Sequence, residues 1–389
     1  MPWQEIKRMV ENGQISASPE VPESQIQPAS IDLRLGKEAY RVQASFLRGR
    51  SATLLTKVQE LLDSTIDLTQ AMPPLLEPGV VYIIPLLERL RLPNDVQGIA
   101  NPKSTTGRLD VFTRLITEHG DQFDRVPKGY KGLLYVEVSS RTFPIRVRAG
   151  MKLNQLRFVR GNSLDPIRNG ELRQLAKEQH LLYDSEGRPT TDRIGEGIEL
   201  TVDLEGDNNK SVVAYRAKDS PRAIELDKVD HYDPADYWEA IPRPRQGHII
   251  LAKGGFYLLA SKGRVSVPLD HAAEMMAHDP SLGEFRVHYA GFFDPGFGYG
   301  SKKGEICGTK AVLEVRAYEV PILLEDDDVV GRLHYYPMAA IPDKVYGTSI
   351  GSSYQQQGLA LSKQFKRPAH AESTALGSAT VLSPPALVG

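Results

Sequence analysis

The stretch LEPGVVYIIPLLERLRLP, residues 76 to 93, has a second copy in LAKGGFYLLASKGRVSVP, residues 251 to 268, which sets Gly79 against Gly254 and Tyr82 against Tyr257. Each copy is a turn followed by a run of β-branched and aromatic residues, the pattern of a short strand. Three more blocks follow in the same order. PASIDLRLG (28 to 36) echoes ELTVDLEG (199 to 206), aligning Asp32 with Asp203. LLYVEV (133 to 138) lies on AVLEVR (311 to 316), pairing Glu137 with Glu314, and LNQLRF (153 to 158) lies on VGRLHY (330 to 335). The offsets at the aspartate, glycine and glutamate positions are 171, 175 and 177. Ordered blocks with a slow drift of this kind mark a duplication.

The expected fold is mainly β: two tandem distorted barrels, jelly-roll-like, with a few short helices. The first repeat is placed at 1–165, a helical link at 166–195, and the second repeat at 196–345. Residues 346–365 form a closing segment, and the Pro- and Ser-rich 366–389 are expected to be disordered. Helical patterns run from Trp3 to Glu11, from Asn169 to His180 and from His271 to Ala277. The polar stretch DSEGRPTTDRIGEG (184 to 197) after the second of these is the best boundary signal.

Composition narrows the chemistry. With 47 basic and 49 acidic side chains the net charge is -2, so neither nucleic acid nor an anionic membrane is called for as a partner. The single cysteine, Cys307, rules out an intrachain disulfide and any zinc site built on two thiolates. The zinc-dependent nucleobase deaminases, which need a Pro-Cys-x-x-Cys pair, are therefore excluded. No apolar run approaches 18 residues and the start MPWQEIKRMV is charged and amphipathic, so a cytoplasmic location is expected.

QPASIDLRLG, followed by PKSTTGRL (102 to 109) and YVEV, resembles the dCTP deaminase branch of the deoxyuridine triphosphatase (dUTPase) superfamily. HYAGFFDPGFGYG (288 to 300) looks like that family's base-binding hairpin and YGTSIGSSYQQQG (346 to 358) like its nucleotide-closing tail. The duplicated length looks like a long, tandem form. The resemblance implies dUTPase-like barrels and deamination of dCTP to dUTP and ammonia without a protein-bound metal, supplying dUTP for thymidylate synthesis. It implies trimeric assembly with sites between barrels, possible feedback by dTTP, and Mg2+ arriving only with the triphosphate.

Such a reaction needs a carboxylate that takes a proton from water and returns it to the leaving ammonia, beside donors for the tetrahedral centre. Glu137 and Glu314 both stand in apolar strands where poor solvation raises a carboxyl pKa. The turn Lys103-Ser104-Thr105-Thr106-Gly107-Arg108 offers cations, hydroxyls and backbone N–H groups to an oxyanion. By resemblance Ser104 holds the water and base, Arg108 stabilises charge at the reacting carbon, and Lys103, Thr105 and Thr106 face phosphate. Lys103 stands where the family has arginine and so lacks the bidentate fork.

The two repeats have lost complementary parts. In repeat two the turn reads Pro280-Ser281-Leu282-Gly283-Glu284, putting proline for Ser104 and glutamate for Arg108. Repeat two keeps the hairpin with Ala290 and Asp294-Pro295-Gly296-Phe297, where repeat one has Phe123 and Arg125-Val126-Pro127-Lys128-Gly129. Since the family's turn and hairpin come from different barrels, a working site is expected where repeat one meets repeat two, with Glu314 as the proton carrier and Glu137 the fallback. By the same resemblance, Tyr346 and Gln357 in the tail fall at the family's spacing for phosphate contacts with Tyr354 between them, and Ser353 stands where the family has a phosphate-binding lysine, a departure that weakens triphosphate affinity unless Lys363 or another cation substitutes. His271 and His278 are read as surface residues, Glu325-Asp326-Asp327-Asp328 as a solvated turn, and GFGYGSKKG (296 to 304) as a hairpin loop. Two rivals stay open: dUTP pyrophosphatase activity through Asp294, alone or coupled to deamination, and a non-catalytic nucleotide sensor.

Overall fold

The computed structural model describes residues 1–47, 53–161, 165–206, 212–219, 222–277, 285–287, 291–300, 307–347 and 358–367. The chain is mainly β, and the duplication read from the sequence reappears as identical strand register. In the first half the strand Lys131–Ser140 pairs antiparallel with Val81–Arg91 and sets Glu137 opposite Ile83. In the second, Thr309–Ala317 pairs with Phe256–Val265 and sets Glu314 opposite Leu258. On the other side of each central strand, Tyr40 faces Ile83 and Tyr215 faces Leu258.

The register follows from alternation, because a one-residue slip would turn the apolar face of each strand to water. Leu134, Val136 and Val138 point into one apolar core, and Ala311, Leu313, Val315 and Ala317 into another. Glu137 and Glu314 fall on the opposite faces.

The helix Trp3–Glu11 forms as expected, burying Trp3, Ile6 and Met9 at helical spacing. Asn169–Gln179 also forms, buries Leu172, Leu175 and Ala176 in the second core, and stops at His180 in a left-handed conformation (φ 51°). The helix expected at His271–Ala277 is instead a strand paired with Val329–Pro337 on one edge and Phe292–Phe293 on the other. Two strand partners outweigh the helix preference of Ala, Glu and Met, which is a weak local term. A helix that the periodicity did not single out, Leu54–Leu61, is capped by Thr53, whose hydroxyl accepts from the Thr56 N–H at 3.2 Å. The acidic run is a turn, but an ion-paired one: Asp326 meets Lys262 and Asp327 meets Arg193.

The halves interlock. Residues Ile224–Glu225 form a strand that joins Ile145–Arg146 of the first repeat in parallel. Tyr237, Trp238 and Phe365 enter the first core beside Phe143, with Phe365 centroids 5.5 Å from Tyr237 and 6.0 Å from Trp238. A second tie is buried and charged. Arg157 of repeat one pairs with Glu274 of repeat two, Asn101 donates to the same carboxylate at 3.0 Å, and the guanidinium lies 4.8 Å from the Phe292 ring.

Removing one partner of such a pair strands the other charge in a dry setting, whereas removing both does not. Glu274→Ala should therefore lower unfolding free energy by about 3 kcal/mol or more. Arg157→Met with Glu274→Met should cost less than the single change, as read from urea midpoints.

Candidate active site

The turn that carries the hydroxyls is a single helical turn, Ser104–Gly107, at the end of the strand Val96–Pro102. Gly107 N–H donates to Lys103 O at 3.0 Å and Arg108 N–H to Ser104 O at 3.1 Å. Thr106 spends its hydroxyl on the Leu153 carbonyl (3.0 Å), which leaves it holding the turn in place. Beyond the turn, Asp110 sits in the left-handed region (φ 57°), fully buried, accepts from the Thr142 hydroxyl at 2.5 Å, and pairs with Arg316. Arg316 lies two residues beyond Glu314 on the same strand face, so this pair fixes the repeat-one turn against the repeat-two carboxylate.

A cavity of about 550 Å³ lies along this junction, a volume suited to a nucleotide-sized ligand. Its walls bring together Lys103, Ser104, Thr105, Thr106 and Arg108 from repeat one with Asp294, Glu314 and Tyr346 from repeat two. Gly107 closes the fit from behind, because a Cβ there would collide with the Glu314 carboxyl. Ala290, Tyr354 and Gln357 lie outside the described residues, as do Ser353, His278 and the repeat-two segment 280–284.

Glu314 is buried and forms no hydrogen bond or ion pair with any described residue. Burial pushes its carboxyl up to about 8; Arg108 opposes the shift and Asp110 adds to it. Asp294 is pushed up to about 7 by burial, against the Ala29 N–H that donates to its Oδ1 at 3.1 Å and against Lys103. Its hairpin turns tightly, with Phe297 N–H donating to Asp294 O at 3.1 Å. Gly296 there has φ 96°, and a side chain would press on the Tyr346 backbone. Tyr346 packs on Phe297, with centroids 5.7 Å apart.

Glu137 occupies the equivalent register but a different environment. It lies off the cavity, and Arg114 donates to its Oε1 from Nη2 at 2.5 Å and from Nε at 3.0 Å. The same guanidinium sits 3.6 Å from the centroid of Phe123, the residue in the hairpin position of repeat one. Glu137 is thus ion-paired through Oε1, and its face is covered by a satellite cluster of Leu54, Val58, Ile83, Ile116 and Tyr135.

Three residues of the cavity were not singled out for it. Asp32, quoted only as a repeat marker, is 4% exposed and pairs with Lys103; Lys152 stands 3.9 Å from its other oxygen; Gln155 lies beside them. A buried aspartate inside an apolar block was the available signal. Among the described residues no group of three or more His, Cys, Asp or Glu side chains is placed to hold a metal ion, and His271 rests against Asp270 at 2.8 Å. No helix among them is long and apolar enough to cross a membrane.

The geometry is that of a nucleotide-sized cleft with a dry acid and a hydroxyl-rich turn contributed by different repeats. Residues 1–162 match the N-terminal domain, and residues 168–365 the C-terminal domain, of the 2'-deoxycytidine 5'-triphosphate deaminases (DCD), and the chain belongs to that family. The crystal structure of 2'-deoxycytidine 5'-triphosphate deaminase from Agrobacterium tumefaciens is similar with TM-score 0.80 and 42% identity, covering 87% of this chain and 98% of that one. A dCTP deaminase of Natronomonas pharaonis is 28% identical over 192 residues, 49% of this chain and 92% of the relative. A dUMP-forming dCTP deaminase of Dictyoglomus thermophilum is 28% identical over 163 residues, 41% of this chain and 79% of the relative.

The Glu314 shift has a consequence for stability. A carboxyl whose folded pKa is raised from 4.5 to about 8 contributes stability below the lower value, and that contribution is lost as pH rises through the upper one. Glu314→Gln should therefore gain stability over the parent progressively from pH 5 to pH 8 and hold a constant gain above. A gain independent of pH in urea titrations would contradict the raised pKa.

Proposed function

We propose that this chain hydrolyses dCTP to dUTP and ammonia at the cleft between its two repeats, with Glu314 as the proton carrier. The observation that carries the reading is the meeting of Glu314 with the Ser104–Arg108 turn in one cavity, while Glu137 is neutralised by Arg114. Ionised Glu314 takes a proton from water, the hydroxide adds to C4 of the cytosine, and the same proton passes to the amino group, which departs as ammonia. Ser104 and its turn hold the water and base, and Arg108 stabilises the charge that develops at the tetrahedral centre. Asp294 faces the sugar, and Lys103, Thr105 and Tyr346 face the phosphates, with Tyr354 and Gln357 in the same role. Mg2+ arrives with the triphosphate, coordinated by phosphate oxygens and water. The dUTP formed supplies thymidylate synthesis, in the cytoplasm, and dTTP is the candidate feedback ligand. The tandem organisation, 1–165 and 196–345 joined through 166–195, places both parts of the site in one chain, and self-association through barrel faces completes the assembly.

A base must be ionised to act, so kcat/KM for dCTP should fall about tenfold per pH unit below roughly pH 8. Glu314→Gln should reduce turnover by at least about a thousandfold while retaining dCTP binding, and Glu137→Gln should lie within about fivefold of the parent. The reverse ranking would place the site in repeat one.

A second reading is favoured by Asp294, a buried carboxyl with pKa about 7 in the same cavity. Attack of water at the α-phosphate, with Asp294 as base, would convert dUTP to dUMP and pyrophosphate. Incubation with dCTP should yield ammonia and dUTP; pyrophosphate appearing with the ammonia would establish the coupled activity.

A further inference from the structure

The segment 358–367 runs along the cleft beside the Ser104–Gly107 turn and is tied down at several points. Arg108 Nη1 donates to the Ala360 carbonyl at 3.0 Å, and the Ser362 hydroxyl contacts the Thr105 carbonyl at 2.9 Å. Asp230 N–H donates to Lys363 O at 2.9 Å, Gln364 Nε2 donates to the Leu226 carbonyl at 2.9 Å, and Phe365 is clasped by Tyr237 and Trp238. The backbone of Lys363 is therefore fixed on both sides, and its side chain lines the cavity.

Lys363 has no carboxylate partner and no side-chain hydrogen bond among the described residues. Its neighbours in charge are Lys103 and Lys152, with Asp32 the single opposing group. Asp32 is already engaged by Lys103, and Lys152 stands 3.9 Å away. Burial pushes the Lys363 ammonium down, as it does that of Lys152. Three ammonium groups held around one occupied carboxylate are electrostatically unfavourable until an anion of several charges arrives.

We propose that Lys363, presented by the tethered 358–367 segment and joined by Lys152, reads the distal phosphates of the nucleotide and sets the preference for a triphosphate over a monophosphate. This rests on the deaminase reading. The segment lies downstream of the tail positions Tyr346, Tyr354 and Gln357, so the cation comes from a part of the chain that also builds the first core.

The test is steady-state deamination of dCTP, dCDP and dCMP by the parent, Lys363→Met, Lys363→Arg and Lys152→Met. Lys363→Met should raise KM for dCTP at least tenfold, change kcat less than twofold, and leave KM for dCMP unchanged. Lys152→Met should act in the same direction, and Lys363→Arg should recover most of the loss. Equal effects on all three nucleotides would show a structural role and overturn the proposal, as would an unaltered dCTP-to-dCMP ratio. Should Lys363→Met fold poorly, inorganic tripolyphosphate serves as the probe. It should raise the melting temperature of the parent but not of Lys363→Gln, and equal protection would overturn the proposal. Absence of ammonia release from dCTP by the parent would sink the deaminase reading itself, whereas an active parent with an unchanged ratio sinks only the role of Lys363.

Discussion

Desolvation of one carboxyl governs this molecule. Moving a carboxyl pKa from 4.5 to about 8 corresponds to an ionisation penalty of the order of 5 kcal/mol, and the fold accepts it at Glu314. The penalty exists because repeat one covers the Glu314 face of the strand Thr309–Ala317, and it is only partly offset by Arg108. The coverage depends in turn on the Asp110–Arg316 pair and on Val312, Phe256 and Leu258 reaching into the first core. The desolvation of Glu314 and the packing between repeats are thus the same arrangement seen from two sides.

Duplication gave each central strand a glutamate at the same register, and the surroundings then separated them. At Glu137 a cation on the neighbouring strand, Arg114, stands directly across the ladder and stacks on Phe123. At Glu314 no described residue forms such an ion pair, and the opposing half of the chain supplies Gly107, where any side chain would intrude. A carboxyl left dry is poised to change its protonation state.

Much of this was legible in the residues. The repeat offsets carried directly into strand register, because side-chain alternation allows no slip, and the complementary loss of turn and hairpin motifs pointed to a shared cleft. What local patterns could not convey was long-range pairing. His271–Ala277 has the residues of a helix and becomes a strand only because two neighbours claim its edges. Asp32 and Lys152 come together through the antiparallel partnership of Ile31–Arg34 with Lys152–Arg160, which nothing in either segment announces. The crossing of residues 224–238 and Phe365 into the first core is likewise invisible to periodicity, since an apolar side chain does not say which half it will join.

That crossing bears on biogenesis. As the polypeptide leaves the ribosome, its leading barrel lacks Trp238 and Phe365 until the second repeat has been made. Folding half after half would therefore leave an apolar gap in the earlier-made portion until residues of the later-made portion seal it.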